Sequence, residues 1–319
     1  MPWLTKTSSG KWEPLDRYRP VTNDHPRARQ LFAPDSFWFR RLPDDAPLEP
    51  DSAATIAKIS GLCDGININR YQYTPAVYLA RNTDPLVSIT RDPAYSANSG
   101  LTAQLAGIHI PADAVPADGT DAEVVIHNLD TGDCTELWQA KRVNAGTWTC
   151  VWGGTIRNAR TSDSTHAPGF GTMACGLAFL PSMITPDELR DGWIGHAVGI
   201  AMPPSCVDNQ VVPPATRTDG DLAPANLVSQ AQWLRIPRSV NVYSLGLNRT
   251  ATILARAAQE YGFLVIDRGG ETRAVVRAVN PSGMSSDPYP SILAGHEADP
   301  LGDFPIELLQ AVTRGWMPS

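Results

Sequence analysis

The stretch from Asp121 to Arg157 limits the possible folds of this chain more than any other. Val124-Val-Ile-His-Asn and Cys134-Thr-Glu-Leu-Trp flank a turn containing Asp130-Thr-Gly, and a third run, Thr147-Trp-Thr-Cys-Val-Trp-Gly-Gly-Thr-Ile-Arg, follows Asn144-Ala-Gly. Short runs of β-branched and aromatic residues separated by such turns predict an antiparallel meander. With the first turn centred on Asp130 to Gly132, the two-residue period of a strand puts Val124, Ile126, Glu136 and Trp138 on one face. Glu123, Val125, His127, Leu137 and Gln139 then take the other. Glu136 is therefore either a buried group with hydrogen-bond partners or a cleft-lining acid whose charged form is disfavoured by desolvation.

Trp138, Trp148 and Trp152 fall in the same stretch, and the register of the second hairpin decides whether Trp138 and Trp152 share a face. Aromatic rings beside carboxylates suit a sugar-binding groove, because a ring packs on the apolar face of a sugar while polar side chains bond its hydroxyls. A tryptophan-rich core is the alternative.

Elsewhere, 28 prolines and 25 glycines in 319 residues, with few helix-forming runs, point to many short strands joined by turns. Strands are expected at Asn67 to Tyr73, Ala76 to Ala80, Leu86 to Thr90, around Ile108, at Trp193 to Ala201, at Phe263 to Asp267 and at Ala274 to Val279. Only Arg249 to Tyr261 has a firm helical period, with Gly262 as its cap. Shorter helices are expected at Ala53 to Ser60, after Thr185, and over Pro305 to Val312. Residues 1 to 50 read as an extended arm. Its aromatics Trp12, Phe37, Trp38 and Phe39 would pin it to the rest of the chain or to a neighbouring subunit.

The net charge of -7 and the lack of any basic run argue against a nucleic-acid surface. No stretch approaches the roughly 20 apolar residues of a membrane span, and no apolar segment of signal-peptide type opens the chain. Cys63, Cys134, Cys150, Cys175 and Cys206 form no Cys-x-x-Cys pair, so free thiols are expected, and no metal or cofactor motif is present. Asp219 and Asp221 could hold a hard cation, although Asp-Gly-Asp is far more often only a turn. His196, in the middle of its predicted strand, is either a core histidine bonded to a backbone carbonyl or a catalytic one. His166 lies in a loop, 159 to 171, long enough to cover a groove.

Asp121, Glu136-Leu-Trp-x-Ala, Gly192-x-Ile-x-His-Ala, Pro214-Ala-Thr-x-Thr-Asp-Gly and Gln259-x-Tyr-Gly-x-x-Val-x-Asp267, in this order across residues 35 to 270, resemble a pattern found in actinobacterial secreted proteins and in minor tail proteins of actinobacteriophages. The chain departs from that pattern at His127-Asn128. The resemblance implies an antiparallel β-sandwich of jelly-roll kind over residues 51 to 275, followed by a C-terminal extension, 276 to 319. It further implies a virion tail protein acting at the cell envelope and assembled in the host cytoplasm with other tail proteins or as a homo-oligomer, and the aromatic meander would then be what contacts host cell-wall polysaccharide. The alternative function is a glycoside hydrolase or polysaccharide lyase on the same groove. Glu136, Asp121, His196 and Asp267 are the candidate catalytic groups, and Trp138, Trp148, Trp152, Asp219 and Tyr261 the candidate binding groups. Tyr261 with His196 would also serve as the lyase base.

Overall fold

The computed structural model describes residues 4–6, 12–14, 28–302 and 304–318. The protein is mostly β, with 27% of residues in strands and 22% in helices. A six-stranded sheet runs in the order Gln310–Ala311, Trp233–Arg235, Phe263–Arg268, Val198–Met202, Ala274–Arg277, Ile66–Asn69. A central four-stranded sheet runs Trp152–Ile156, Cys134–Trp138, Val124–Asn128, Ala76–Ala80, and an outer one Ile108–His109, Leu86–Arg91, Thr147–Cys150, Lys141–Asn144.

Several pairings are parallel, where only antiparallel ones were expected: Val198–Met202 with Phe263–Arg268, Ala274–Arg277 with Ile66–Asn69, and Ala76–Ala80 with Val124–Asn128. A parallel pair needs a long crossover, and the first of these has one in the segment carrying helix Arg249–Glu260. That helix has the predicted place and stop. Asn248 caps it by accepting from the Ala251 N–H, and Gly262, at φ 81°, turns the chain into the next strand.

The meander is split between two sheets. Cys134–Trp138 pairs with Val124–Asn128 and Trp152–Ile156, whereas Lys141–Asn144 and Thr147–Cys150 leave to join the outer sheet. The first hairpin also differs by one residue from its expected register. Val125 faces Glu136 and Val124 faces Leu137, so Glu136 shares its side with Val125 and His127 rather than with Val124 and Ile126. A one-residue step exchanges the faces of an entire strand.

Three cores follow from these faces. Val124, Ile126 and Leu137 pack toward Trp148 and the outer sheet. Val125, Cys134 and Ile156 pack toward Leu264, Ile266 and Trp233 of the six-stranded sheet. The far side of that sheet is covered by helices Ser52–Leu62 and Arg249–Glu260.

The described part of the arm from residue 30 on and the C-terminal extension pack on this body. Residues before 28 lie outside the described residues, apart from the antiparallel strand pair Leu4–Lys6 and Trp12–Pro14. Phe37, Trp38 and Phe39, however, are buried in the core between the sheets, and the Trp38 carbonyl accepts from Ala197 N–H at 2.7 Å. At the other end, the expected helix over Pro305 to Val312 is only a single 3-10 turn, Ile306–Leu308, followed by an edge strand. The Ala311 N–H bonds the Ser52 hydroxyl and the strand pairs with Trp233–Arg235, which holds this segment extended. All five cysteines are free and buried. Among the described residues no helix is long and apolar enough to cross a membrane.

Candidate functional site

A cleft of 780 Å3 opens between the central and six-stranded sheets. One wall comes from Asp121 and Glu123, just before Val124–Asn128, from Trp138 at the end of its strand and from Trp152 at the start of the next. Trp152 stands directly opposite Trp138 in the sheet, and the register of the next pair, continued by one residue, sets Glu123 against Trp138. The other wall comes from Asn67 and Asn69, from Asp267 at the end of Phe263–Arg268, and from Arg277.

The backbone around the first wall is unusual. Tyr73, Ala122 and Gln139 have φ of 55°, 41° and 50°, a region non-glycine residues rarely occupy. Ala122 lies between Asp121 and Glu123, and Gln139 follows Trp138. Hydrogen bonds from Gln139 N–H to the Asp121 carbonyl (2.7 Å) and from Ala140 N–H to the Ala122 carbonyl (3.1 Å) hold both residues there. Strained backbone that the surroundings over-determine is a mark of functional sites, and here it aims three cleft-lining side chains.

Glu123 is 5% exposed, and its Oε2 has no hydrogen-bond partner. Burial pushes its carboxyl up to about 8, against the pull of Arg277 and with a further push from Asp121, Asp267 and Glu136. Across the cleft, burial raises Asp267 to about 6, while Arg277 opposes the shift through an ion pair of 3.2 Å. Arg277 also donates from Nε to the Tyr73 carbonyl at 3.1 Å, and its Nη1 is buried without a partner.

Glu136 lies beneath the cleft rather than in its lining. Its Oε2 sits 3.1 Å from His166 Nε2 and accepts from the Thr172 hydroxyl at 3.1 Å, and its Oε1 accepts from Phe179 N–H at 2.6 Å. Burial alone would raise this carboxyl. The His166 charge and hydrogen bond, with the Phe179 and Thr172 N–H groups, outweigh it and hold Glu136 below the usual carboxylate range. The His166 loop reaches this position because Gly154 is bare: a Cβ there would come within 2.7 Å of Gly171 N and 3.0 Å of His166 Nδ1. Arg217 pins the same loop by donating to the carbonyls of Phe170, Gly171, Met173 and Ala174.

Of the residues singled out from sequence, Asp121, Trp138, Trp152, Asp219 and Asp267 line the cleft together. Asp121 accepts from Trp138 Nε1 at 3.1 Å. Trp152 is less of a platform than expected, since Phe170 stacks on it at 5.8 Å and the Arg91 guanidinium lies over it at 5.3 Å. Asp219 and Asp221 both pair with Arg268, at 3.6 and 2.8 Å. Three candidates lie elsewhere. Trp148 is buried under the outer sheet, and Tyr261 is buried against Trp193 in the core between the sheets. His196 precedes its strand instead of sitting within it. Its Nδ1 bonds the Ala197 carbonyl at 2.7 Å and its Nε2 lies 3.3 Å from Glu188, whose carboxylate closes the capping box of helix Pro186–Asp191. The common site expected for Glu136 and His196 is therefore not formed: each histidine-carboxylate pair is a separate buried unit.

Sequence reading missed Glu123, Arg277, Tyr73 and the His166 partnership. Glu123 was assigned to the opposite face from Trp138 by the register error. The available signal was an acid directly preceding the apolar run Val124-Val-Ile. No family model, curated protein or solved structure matches this chain.

Proposed function

We propose that the cleft holds an uncharged polysaccharide of the bacterial envelope, and that the protein serves as a minor tail or tail-tip protein that brings this cleft to the host cell wall. The observation that carries the reading is the mixed lining: Trp138 and Tyr73 offer aromatic surface beside Asn67, Asn69, Asp121 and Asp219, which suit hydroxyl groups. Arg217, Arg268 and Arg277 nearly balance Asp121, Asp219, Asp267 and Glu271 when Glu123 is neutral, so no strong field favours a polyanion. We read the two facing sheets as a sandwich with the cleft along one side. Assembly with other tail proteins, or as a homo-oligomer, in the host cytoplasm belongs to the same proposal.

The test is retention on immobilised actinobacterial cell-wall arabinogalactan, with polygalacturonate as the charged control. Binding to the neutral polymer, weakened roughly tenfold in Trp138→Ala (about 1.4 kcal/mol), is expected. Absence of binding, or equal binding by Trp138→Ala with its circular dichroism unchanged, would falsify the reading.

A further inference from the structure

Glu123 lines the cleft as a buried acid, and its Oε2 is itself buried without a hydrogen-bond partner. A carboxyl in this position costs desolvation free energy unless it stays protonated or meets a ligand. Three acids near it are engaged: Asp121 accepts from Trp138, Asp219 pairs with Arg268, and Glu136 is taken up by His166, Thr172 and Phe179, while Glu271 also lines the cleft. Asp267 reaches the same cavity from the facing sheet, and Arg277 occupies its Oδ2 with one nitrogen while keeping Nη1 unpartnered. The cleft thus sets a proton-bearing carboxyl on one wall opposite a cation-stabilised carboxylate on the other, the arrangement by which two acids divide general-acid and general-base work.

We propose that this pair hydrolyses a glycosidic bond of the polysaccharide held in the cleft, Glu123 protonating the leaving oxygen while Asp267 takes a proton from the attacking water. The inference rests on the binding reading above. In the step, the Glu123 proton passes to the glycosidic oxygen as its bond to the anomeric carbon breaks. Water forms the new bond to that carbon, and its proton passes to Asp267. The products are a new reducing end and a free hydroxyl on the departing sugar. Transfer of a proton from Asp267 to Glu123 through solvent restores the starting state, so no oxidant, reductant or metal is needed. Arg277 is a positioning residue that keeps Asp267 ionised, and its Nη1 can donate to a substrate hydroxyl. The register places Glu123 next to Trp138, so a sugar ring packed on that indole would bring its linkage within reach of the acid.

Purified protein is incubated with the same arabinogalactan, and new reducing ends, unsaturated sugars and retention are all measured. Reducing ends are expected from the native chain. They should fall by roughly a hundredfold or more in both Glu123→Gln and Asp267→Asn while both variants still bind the polymer. The rate should rise through about pH 6 as Asp267 ionises and fall above about pH 8 as Glu123 loses its proton. The charged groups facing Glu123 are Arg277 and Asp267 from the six-stranded sheet, Glu136 from the adjoining strand and Asp121 from its own segment, and those facing Asp267 are Arg277 and, from the neighbouring loop, Asp219. Retention without reducing ends overturns hydrolysis and leaves the binding reading intact. Unsaturated products, or full turnover in Glu123→Gln, overturn the assignment of roles. Loss of retention in the native chain removes both proposals.

Discussion

Glu123 and Glu136 are buried carboxyls on paired segments of one sheet, and they face the same side, yet their surroundings drive them in opposite directions. Glu136 has a histidine, a hydroxyl and a backbone N–H within hydrogen-bonding distance and is held ionised. Glu123 has an oxygen with no partner and is pushed up to about 8. Burial alone therefore does not set the charge of a buried acid. The donors that accompany it do. Glu188 repeats the Glu136 arrangement with His196 and the Thr185 cap and is likewise held below the usual carboxylate range, so Glu123 is the one of the three pushed upward.

The largest expected effect comes from breaking a satisfied pair. Glu136→Ala removes the acceptor that the Thr172 hydroxyl, the Phe179 N–H and the nearby His166 ring share beneath the cleft, leaving buried donors unpaired, and should destabilise the fold by about 3–5 kcal/mol, read from the denaturant midpoint. A loss below about 1 kcal/mol would mean that the floor is not held by this pair.

The second effect is a pH dependence of opposite sign at the two residues. The native state keeps a proton on Glu123 that the unfolded chain releases above its ordinary value of 4.5, so Glu123 lowers stability progressively as pH rises from there to about 8. Glu136 has a depressed value, so its contribution is present above the unfolded carboxylate range and is lost as pH falls through the lower folded value. Native protein should accordingly lose on the order of 2–4 kcal/mol relative to Glu123→Gln between pH 5 and pH 9. Parallel melting curves for the two proteins across that range would show that Glu123 is paired or solvated after all.

A smaller effect is expected at Arg277. Replacing it with Met removes the charge that opposes burial at Asp267, so the Asp267 midpoint, followed by side-chain carboxyl NMR, should move upward from about 6. An unchanged midpoint would separate Arg277 from the site. The smallest change is at Asp121, where Asn keeps an acceptor for Trp138 Nε1, so stability should stay within about 0.5 kcal/mol by thermal melting.

Local signals in the sequence carried much of the fold. The Asn248 cap, the apolar stripe of Arg249–Glu260 and Gly262 define that helix without help from the rest of the chain. Thr185, Pro186, Glu188 and Gly192 do the same for the short helix Pro186–Asp191. The strand-forming runs of the meander were legible too, because alternation and turn residues act over a few neighbours, but the breaks after Trp138 and Cys150 that send its parts into two sheets were not. Of the five cleft residues, Trp138 and Trp152 stood out as aromatics of the meander, Asp267 as a strand-end acid and Asp219 as part of an Asp-Gly-Asp turn, while Asp121 came from the resemblance.

What only the tertiary structure decided depends on partners far apart in the chain. The parity of the turn after Asn128 sets which face Glu136 takes, and that one step hid Glu123 from view. The parallel pairing of Val198–Met202 with Phe263–Arg268 brings Asp267 into the cleft, and no local period encodes a crossover. Trp148 and His196 have the composition of site residues, but the sheet they join and the carboxylate they meet place one under the outer sheet and the other on a helix cap. Sequence alone determined the segments whose caps, turns and periods are local, such as Arg249–Glu260 and Pro186–Asp191, whereas Pro305 to Val312 took its extended form from the strand it pairs with. The charge of each buried acid was left to packing, because desolvation and its compensating donors come from whatever the fold brings alongside.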